Sequence, residues 1–185
     1  MGLLSRYPIS VQASGSDPPF IRALVQVAGG KPLTAIVAHP LPARIPSIGP
    51  LPVALETADR DADLAFLRAM VDDELAARRS VVMFGDFNVT EREPAYLELA
   101  AGLRDAHLET GGGPGFTWAP PGAQALPFGI LRIDYIFTSV DLQPIDITGN
   151  CGLPSDHCLV LATIGLGVLA QPTALGLATN SQAGN

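Results

Sequence analysis

Val81-Val82-Met83-Phe84-Gly85-Asp86-Phe87-Asn88 is the stretch on which the fold turns. Four apolar residues in a row, two of them β-branched, read as a strand buried on both faces, because a strand open to water on one side alternates apolar with polar. It delivers Gly85, which lets another group come close to the backbone, and then a carboxylate and an amide two residues apart. On an extended backbone Asp86 and Asn88 face the same way. The first takes a proton from water and the second donates hydrogen bonds without titrating, a pair suited to attack on a phosphate. The same two residue types also favour an Asx turn at a strand end, and this stretch alone leaves both readings open.

Around it, Phe20–Val27, Leu33–Ala38, Ile130–Thr138, Ile145–Thr148 and His157–Ile164 carry the apolar, β-branched runs of further strands. Leu64, Leu67, Val71 and Leu75 recur at steps of three and four, which predicts an amphipathic surface helix from Thr57 to Arg79 with acids on its outer face. Asp59 and Asp61 early in it, and Arg78 and Arg79 at its close, match the helix dipole. Pro94 opens a second, shorter helix that stops at Gly102. The class is α+β, a layered sandwich with outer helices. Asp105 to Gly129 is rich in Gly and Pro and reads as a functional or mobile loop. Residues 1–165 are expected to form the domain and residues 166–185 a flexible tail, of which Gln171–Asn185 carries no charge.

With 185 residues, 48% of them hydrophobic, the chain is expected to fold as a globule. Its 11 basic and 18 acidic residues give a net charge of −7, which disfavours broad, sequence-blind polyphosphate binding but not one phosphate held by a metal. No run reaches the roughly 18 apolar residues of a membrane span. Residues 1–10 lack the order of a signal peptide, so localisation is open and cytoplasmic only by default. Two cysteines, without a CxxC or a His-rich segment, support neither a disulfide framework nor a structural zinc site.

Two further clusters carry chemistry. In Arg132-Ile133-Asp134-Tyr135-Ile136-Phe137 the odd-numbered residues line one face, with Arg132 and Asp134 on the other. A carboxylate in so apolar a strand is costly unless paired, and either Arg132 or the imidazole of Ser155-Asp156-His157 is at hand. A carboxylate would fix the tautomer of His157 and favour its charged form, which stabilises charge at a reacting phosphate. Ser155, Asp156 and His157 are consecutive and diverge on an extended chain, so they do not form a serine-hydrolase triad themselves.

Taken together and in this order, Gly85-Asp86-Phe87-Asn88, Arg132 to Phe137 and Ser155-Asp156-His157 resemble the signatures of the endonuclease/exonuclease/phosphatase superfamily. Leu4-Ser5-Arg6-Tyr7-Pro8-Ile9 and Ile36-Val37-Ala38-His39-Pro40 are similar to two further strands of that family, and the likeness runs from Leu3 to about Thr163. It implies a four-layer α/β/β/α sandwich of the deoxyribonuclease I-like type. It also implies a phosphoesterase using Mg²⁺ or Mn²⁺ and an activated water on a phosphodiester or phosphomonoester. By resemblance Asp86 activates the water and joins the metal site with Asp156. Asn88 orients water and phosphate, His157 contacts the phosphate, steadied by Asp134, and His39 sits near the leaving group. Trp118, in Phe116-Thr117-Trp118, resembles a family segment near the substrate mouth, and Arg44 in the Pro-rich stretch is a candidate to touch a substrate phosphate, although a rim or core tryptophan and a solvated arginine are the plainer readings. His107 reads as a surface histidine.

The departures from the pattern matter as much. Ala38 stands where the family has threonine before the histidine, and Cys158 follows the Ser-Asp-His. The family's upstream asparagine and glutamate have no counterpart before residue 4, so the chain is expected to be an N-terminally truncated piece, the C-terminal two thirds of a domain. Weak or absent activity is then expected for it alone, as are exposed sheet edges. The alternative is an inactive fragment acting, if at all, as a binding module. The partner implied is a phosphate ester from nucleic acid, a phospholipid head group or a small molecule, with no obligate protein partner. A missing N-terminal region leaves room for membrane tethering.

Overall fold

The computed structural model describes residues 1–48, 51–120, 129–151 and 155–166. In chain order the elements are β1 (Ile9–Ser16), β2 (Pro19–Val25), β3 (Leu33–Ala38), β4 (Ser47–Ile48), β5 (Leu51–Pro52), α1 (Ala58–Ala76), β6 (Ser80–Asp86), α2 (Pro94–Ala100), β7 (Leu103–Asp105), α3 (Ala106–Thr110), β8 (Asp134–Ser139), β9 (Gln143–Asn150) and β10 (Leu159–Gly165). Six strands form one sheet in the order β1-β2-β3-β6-β8-β7. Its pairs are antiparallel except β3 with β6, which is parallel. A parallel pair needs a crossover, and α1 lies within this one and covers a sheet face.

The register assigns each residue to a side. Phe20, Ala38, Gly85 and Tyr135 form one cross-strand row, and Ile21, Val37, Phe84 and Ile136 form the next. Because side chains alternate along a strand, the first row points to the helices and the second points away from them. On the helix side Ile36, Met83 and Phe137 meet Leu67 and Val71 of α1 and Leu99 of α2, all 1% exposed or less. Each such side chain is stabilised by roughly 1.5–3 kcal/mol relative to exposure. Phe87, Tyr96, Tyr135 and Phe137 extend this core as an aromatic cluster with centroids 5.1–6.0 Å apart. On the far side, the β9–β10 hairpin faces β8 across a cavity of about 430 Å³, with Ile136 on one wall and Ile147 and Val160 on the other. Among the described residues the strands outside the six-stranded sheet form this hairpin and the short β4–β5 pair, and Ile145, Leu159 and Leu161 of the hairpin stand exposed.

Several expectations change. Helix α1 ends at Ala76, so Arg78 and Arg79 lie beyond it instead of closing it. Arg78 takes φ 54°, and Arg79 folds back onto Glu74 at 2.5 Å. The acids of α1 are not all outside either. Glu74 is buried between Arg22, Arg79 and the Thr34 hydroxyl, and buried Asp63 accepts the Leu41 amide. Leu4–Pro8 forms no strand, and β1 begins only at Ile9. The run Ile130–Thr138 is a strand only from Asp134, because Ile130 lies at a bend and Leu131 pairs with Trp118 instead of joining the ladder. That guanidinium, expected on the polar side, is buried on Asp105 at 2.7 Å and stacks 4.6 Å from the Tyr135 ring centre. The expected loop after Asp105 begins as α3, whose first amides Asp105 caps. Cys151 and Cys158, unpaired in the sequence reading, are joined by a disulfide. The tail expected from residue 166 lies outside the described residues beyond Leu166 itself. Among the described residues no helix is long and apolar enough to cross a membrane.

Candidate active site

The parallel pairing of β3 with β6 places Ala38 opposite Gly85, and the backbones approach so closely that only glycine fits. A Cβ on Gly85 would lie 2.0 Å from the Ala38 carbonyl oxygen, and the residue's φ of +147° is itself one that side chains disfavour. His39 and Asp86, the next residue on each strand, therefore emerge side by side, with His39 Nε2 3.3 Å from Asp86 Oδ2. The antiparallel pairing of β6 with β8 sets Asp134 directly across from Asp86. Both carboxylates lie on the sheet face turned away from the helices, one step beyond the Phe84–Ile136 pair.

His157 completes the group from the segment before β10. Its Nδ1 lies 2.9 Å from Asp134 Oδ2 and its Nε2 3.7 Å from Asp86 Oδ2, so the ring bridges two carboxylates. Ligand atoms of Asp86, Asp134 and His157 fall within 4.8 Å of one another. The segment Thr117–Ala119 holds His157 in place. Trp118 pairs with Leu131 and with His157, and the Ala119 amide donates to the Asp156 carbonyl at 2.9 Å.

The electrostatics follow from this enclosure. Burial pushes the Asp86 carboxyl above its usual range and the Asp134 charge adds to it, while the Asn88 amide and the imidazoles of His157 and His39 oppose. Burial works against charge on His157, but the hydrogen bond and charge of Asp134, with Asp86 and Asp156 behind them, hold its imidazole above the ordinary value. A carboxyl whose proton affinity is raised beside an imidazole whose charged form is favoured can divide the roles of base and charge stabiliser. The oxygens of Asp86 and Asp134 also suit a hard divalent cation that keeps part of its water shell, with the charged imidazole beside it rather than on it.

Asn88 reaches the site differently from the extended geometry expected. Strand β6 ends at Asp86, Asn88 takes φ 52°, and its amide donates to Asp86 Oδ1 at 3.0 Å, which is the Asx turn. Its side chain donates to the Pro40 carbonyl at 3.0 Å, tying the turn to the His39 loop. Asp156 is exposed and stands beside the cluster, its Oδ2 accepting the half-buried Trp118 indole N–H at 3.2 Å. Arg44 does not join the group; it is exposed and pairs with Asp59 at 3.0 Å. His107 lies half-buried with Nε2 3.1 Å from the Gly113 carbonyl. One supporting residue escaped the sequence reading. Arg60, 3% exposed, donates to the Asn88 carbonyl at 3.0 Å and pairs with Glu93 at 2.7 Å. Its signal was position, because Arg60, Leu64, Leu67 and Val71 share one helical stripe.

A central sheet backed by helices, with a carboxylate–imidazole cluster at the strand ends, defines a deoxyribonuclease I-like α+β fold. The chain belongs to the Endonuclease/Exonuclease/phosphatase family, whose model matches residues 1–157. It is similar in structure to a conserved Enterococcus faecalis protein of unknown function, at TM-score 0.62 and 19% identity, covering 79% of this chain and 55% of that one. A mannosyl-6-phosphatase from Bacteroides thetaiotaomicron matches at TM-score 0.57 and 16% identity, over 79% and 55%. A truncated Caenorhabditis elegans TDP2 matches at 0.59 and 20%, over 85% and 65%. The chain thus spans little more than half the length of the first two. No curated protein matches it in sequence.

Proposed function

We propose that this chain carries the acid–base part of a metal-dependent phosphoesterase site. The observation that supports this best is the meeting of Asp86, Asp134 and His157 from three distant segments within 4.8 Å. Asp86, with its raised proton affinity, takes the proton of the attacking water. His157, kept charged by Asp134 at 2.9 Å, offers Nε2 to a phosphoryl oxygen and stabilises the charge that builds there. Asn88 holds the turn that presents Asp86, and its amide side chain would have to release Pro40 to orient the phosphate. His39, more than half exposed beside Asp86, would face the leaving group. A divalent cation, Mg²⁺ or Mn²⁺, would be held by Asp86 with Asp134 or Asp156 and would supply charge neutralisation at the phosphate. Trp118, whose indole donates to Asp156, would contribute to substrate binding. Arg44 would need to leave Asp59 to take part.

The family, and the mannosyl-6-phosphatase among its structural relatives, support ester hydrolysis as the reaction class. The test is hydrolysis of bis(p-nitrophenyl) phosphate with Mn²⁺ or Mg²⁺. Turnover that needs the ion, and falls about 10²-fold or more in Asp86→Ala and in His157→Ala, supports the reading. Absence of ion-dependent turnover at high protein concentration would leave the non-catalytic alternative.

A further inference from the structure

Thr117 lies where the two halves of the site are joined. It is buried, at 5% exposure. Its Oγ1 accepts the amide N–H of Ile133 at 3.2 Å and that of Asp134 at 3.1 Å. Its backbone carbonyl accepts the amide N–H of Cys158 at 2.7 Å, and its own amide donates to the Leu131 carbonyl at 2.7 Å. One residue therefore grips the start of β8 with its side chain and the residue after His157 with its main chain. The next two residues repeat the link, through the Trp118 indole on Asp156 and the Ala119 amide on the Asp156 carbonyl.

We infer that Thr117 is a positioning residue, whose hydroxyl oxygen fixes the Asp134 backbone and so sets the Asp134–His157 hydrogen bond. The inference rests on Asp134 and His157 being a working pair. Asp134 is the first residue of β8, so the strand ladder steadies it from one side only. The Thr117 oxygen supplies the other side, taking two successive amides that face away from the ladder. The bond it protects is 2.9 Å long, and a displacement of about 1 Å at such a contact costs about 10²-fold in rate. The requirement is for an oxygen at this point, and threonine at 117 meets it within a segment otherwise rich in glycine and proline.

The test uses the whole chain and the imidazole N–H proton of His157, observed by NMR with ¹⁵N-labelled histidine, of which the chain has 3. Wild type is expected to show a downfield, slowly exchanging Nδ1–H resonance. Thr117→Ser, which keeps the oxygen, retains it. Thr117→Val, which keeps shape and burial but not the oxygen, loses it or exchanges it rapidly, and its kcat falls about tenfold or more with KM little changed. A resonance unchanged in Thr117→Val, or lost in Thr117→Ser, overturns the inference. If Thr117→Val does not fold, Thr117→Ala is read in its place, where an unchanged resonance overturns the inference and a shifted or fast-exchanging one supports it. Absence of the resonance in wild type would sink the Asp134–His157 pair itself, which is a different failure.

Discussion

Gly85→Ala strikes the joint on which both the sheet and the site depend. The added methyl would lie 2.0 Å from the Ala38 carbonyl oxygen, where ordinary contact begins at 3.4 Å, so β3 and β6 must part by about 1.4 Å. Holding a residue with a side chain at such a φ costs on the order of 1–3 kcal/mol. Separating the strands weakens the ladder around the Ala38–Gly85 pair, and two hydrogen bonds there add about 1 kcal/mol each. The sum is roughly 4 kcal/mol, a large share of the 5–15 kcal/mol that stabilises a typical domain. For a chain of this size that corresponds to a drop in Tm of about 8–16 °C. His39 and Asp86 adjoin the two residues that are forced apart, so the 3.3 Å contact between them opens as well. Thermal unfolding followed by circular dichroism reads the first effect, and ion-dependent hydrolysis reads the second. A Tm within about 2 °C of wild type would refute the reasoning, because it would mean that β3 and β6 do not meet as closely as described.

Other perturbations follow from the same structure. Glu74→Ala removes the shared partner of Arg22, Arg79 and Thr34, and urea unfolding should show a loss of about 3 kcal/mol. Burial raises the Glu74 carboxyl, but the Arg79 and Thr34 hydrogen bonds and the Arg79 and Arg22 charges outweigh it and hold it below its ordinary value. Its stabilisation is therefore present above pH 4.5 and lost as pH falls through the lowered value; a flat difference between wild type and Glu74→Gln across that range would contradict this. Activity should require Asp86 ionised and His157 charged, so the pH–rate profile rises above pH 3.8 and falls above pH 6.5. Asp134→Asn should move the falling limb to lower pH, since the imidazole loses the group that holds its proton. Arg60→Met keeps most of the buried volume but frees the Asn88 carbonyl, and it should slow turnover more than it lowers Tm.

What the sequence made legible follows from which forces leave a periodic trace. The α1 stripe is legible because burial repeats along a helix every 3.6 residues, and Val81–Phe84 because it is an unbroken apolar run, although only Val81 and Met83 are fully buried in it. Arg60, Asp63 and Glu74 lie in the same stripe as Leu64, Leu67 and Val71, so the stripe's phase, rather than its hydropathy, marks them as buried. Strand β1 escaped because Ile9–Ser16 is a largely exposed edge whose residues need not be apolar. Strand β7 and helix α3, at 3 and 5 residues, are too short to show a period. Arg132 was assigned to the wrong side because alternation holds only where the backbone is extended, and here the strand starts at Asp134. The order of motifs along the chain singled out Asp86, Asp134, His157 and His39, whose side chains the fold brings together. The left-handed turn at Asn88 and the Thr117 crosspiece were not, since each depends on a segment brought from elsewhere in the fold.

Segments around residues 86, 134 and 157 are proposed to act as one site. A double-mutant cycle separates one unit from two, with ion-dependent hydrolysis measured for wild type, Asp134→Asn, His157→Ala and the double variant. If the 2.9 Å bond makes the two residues one unit, each single variant loses about 10²-fold or more and the double variant loses little beyond that. Losses that multiply would show two independent contributions and contradict the account.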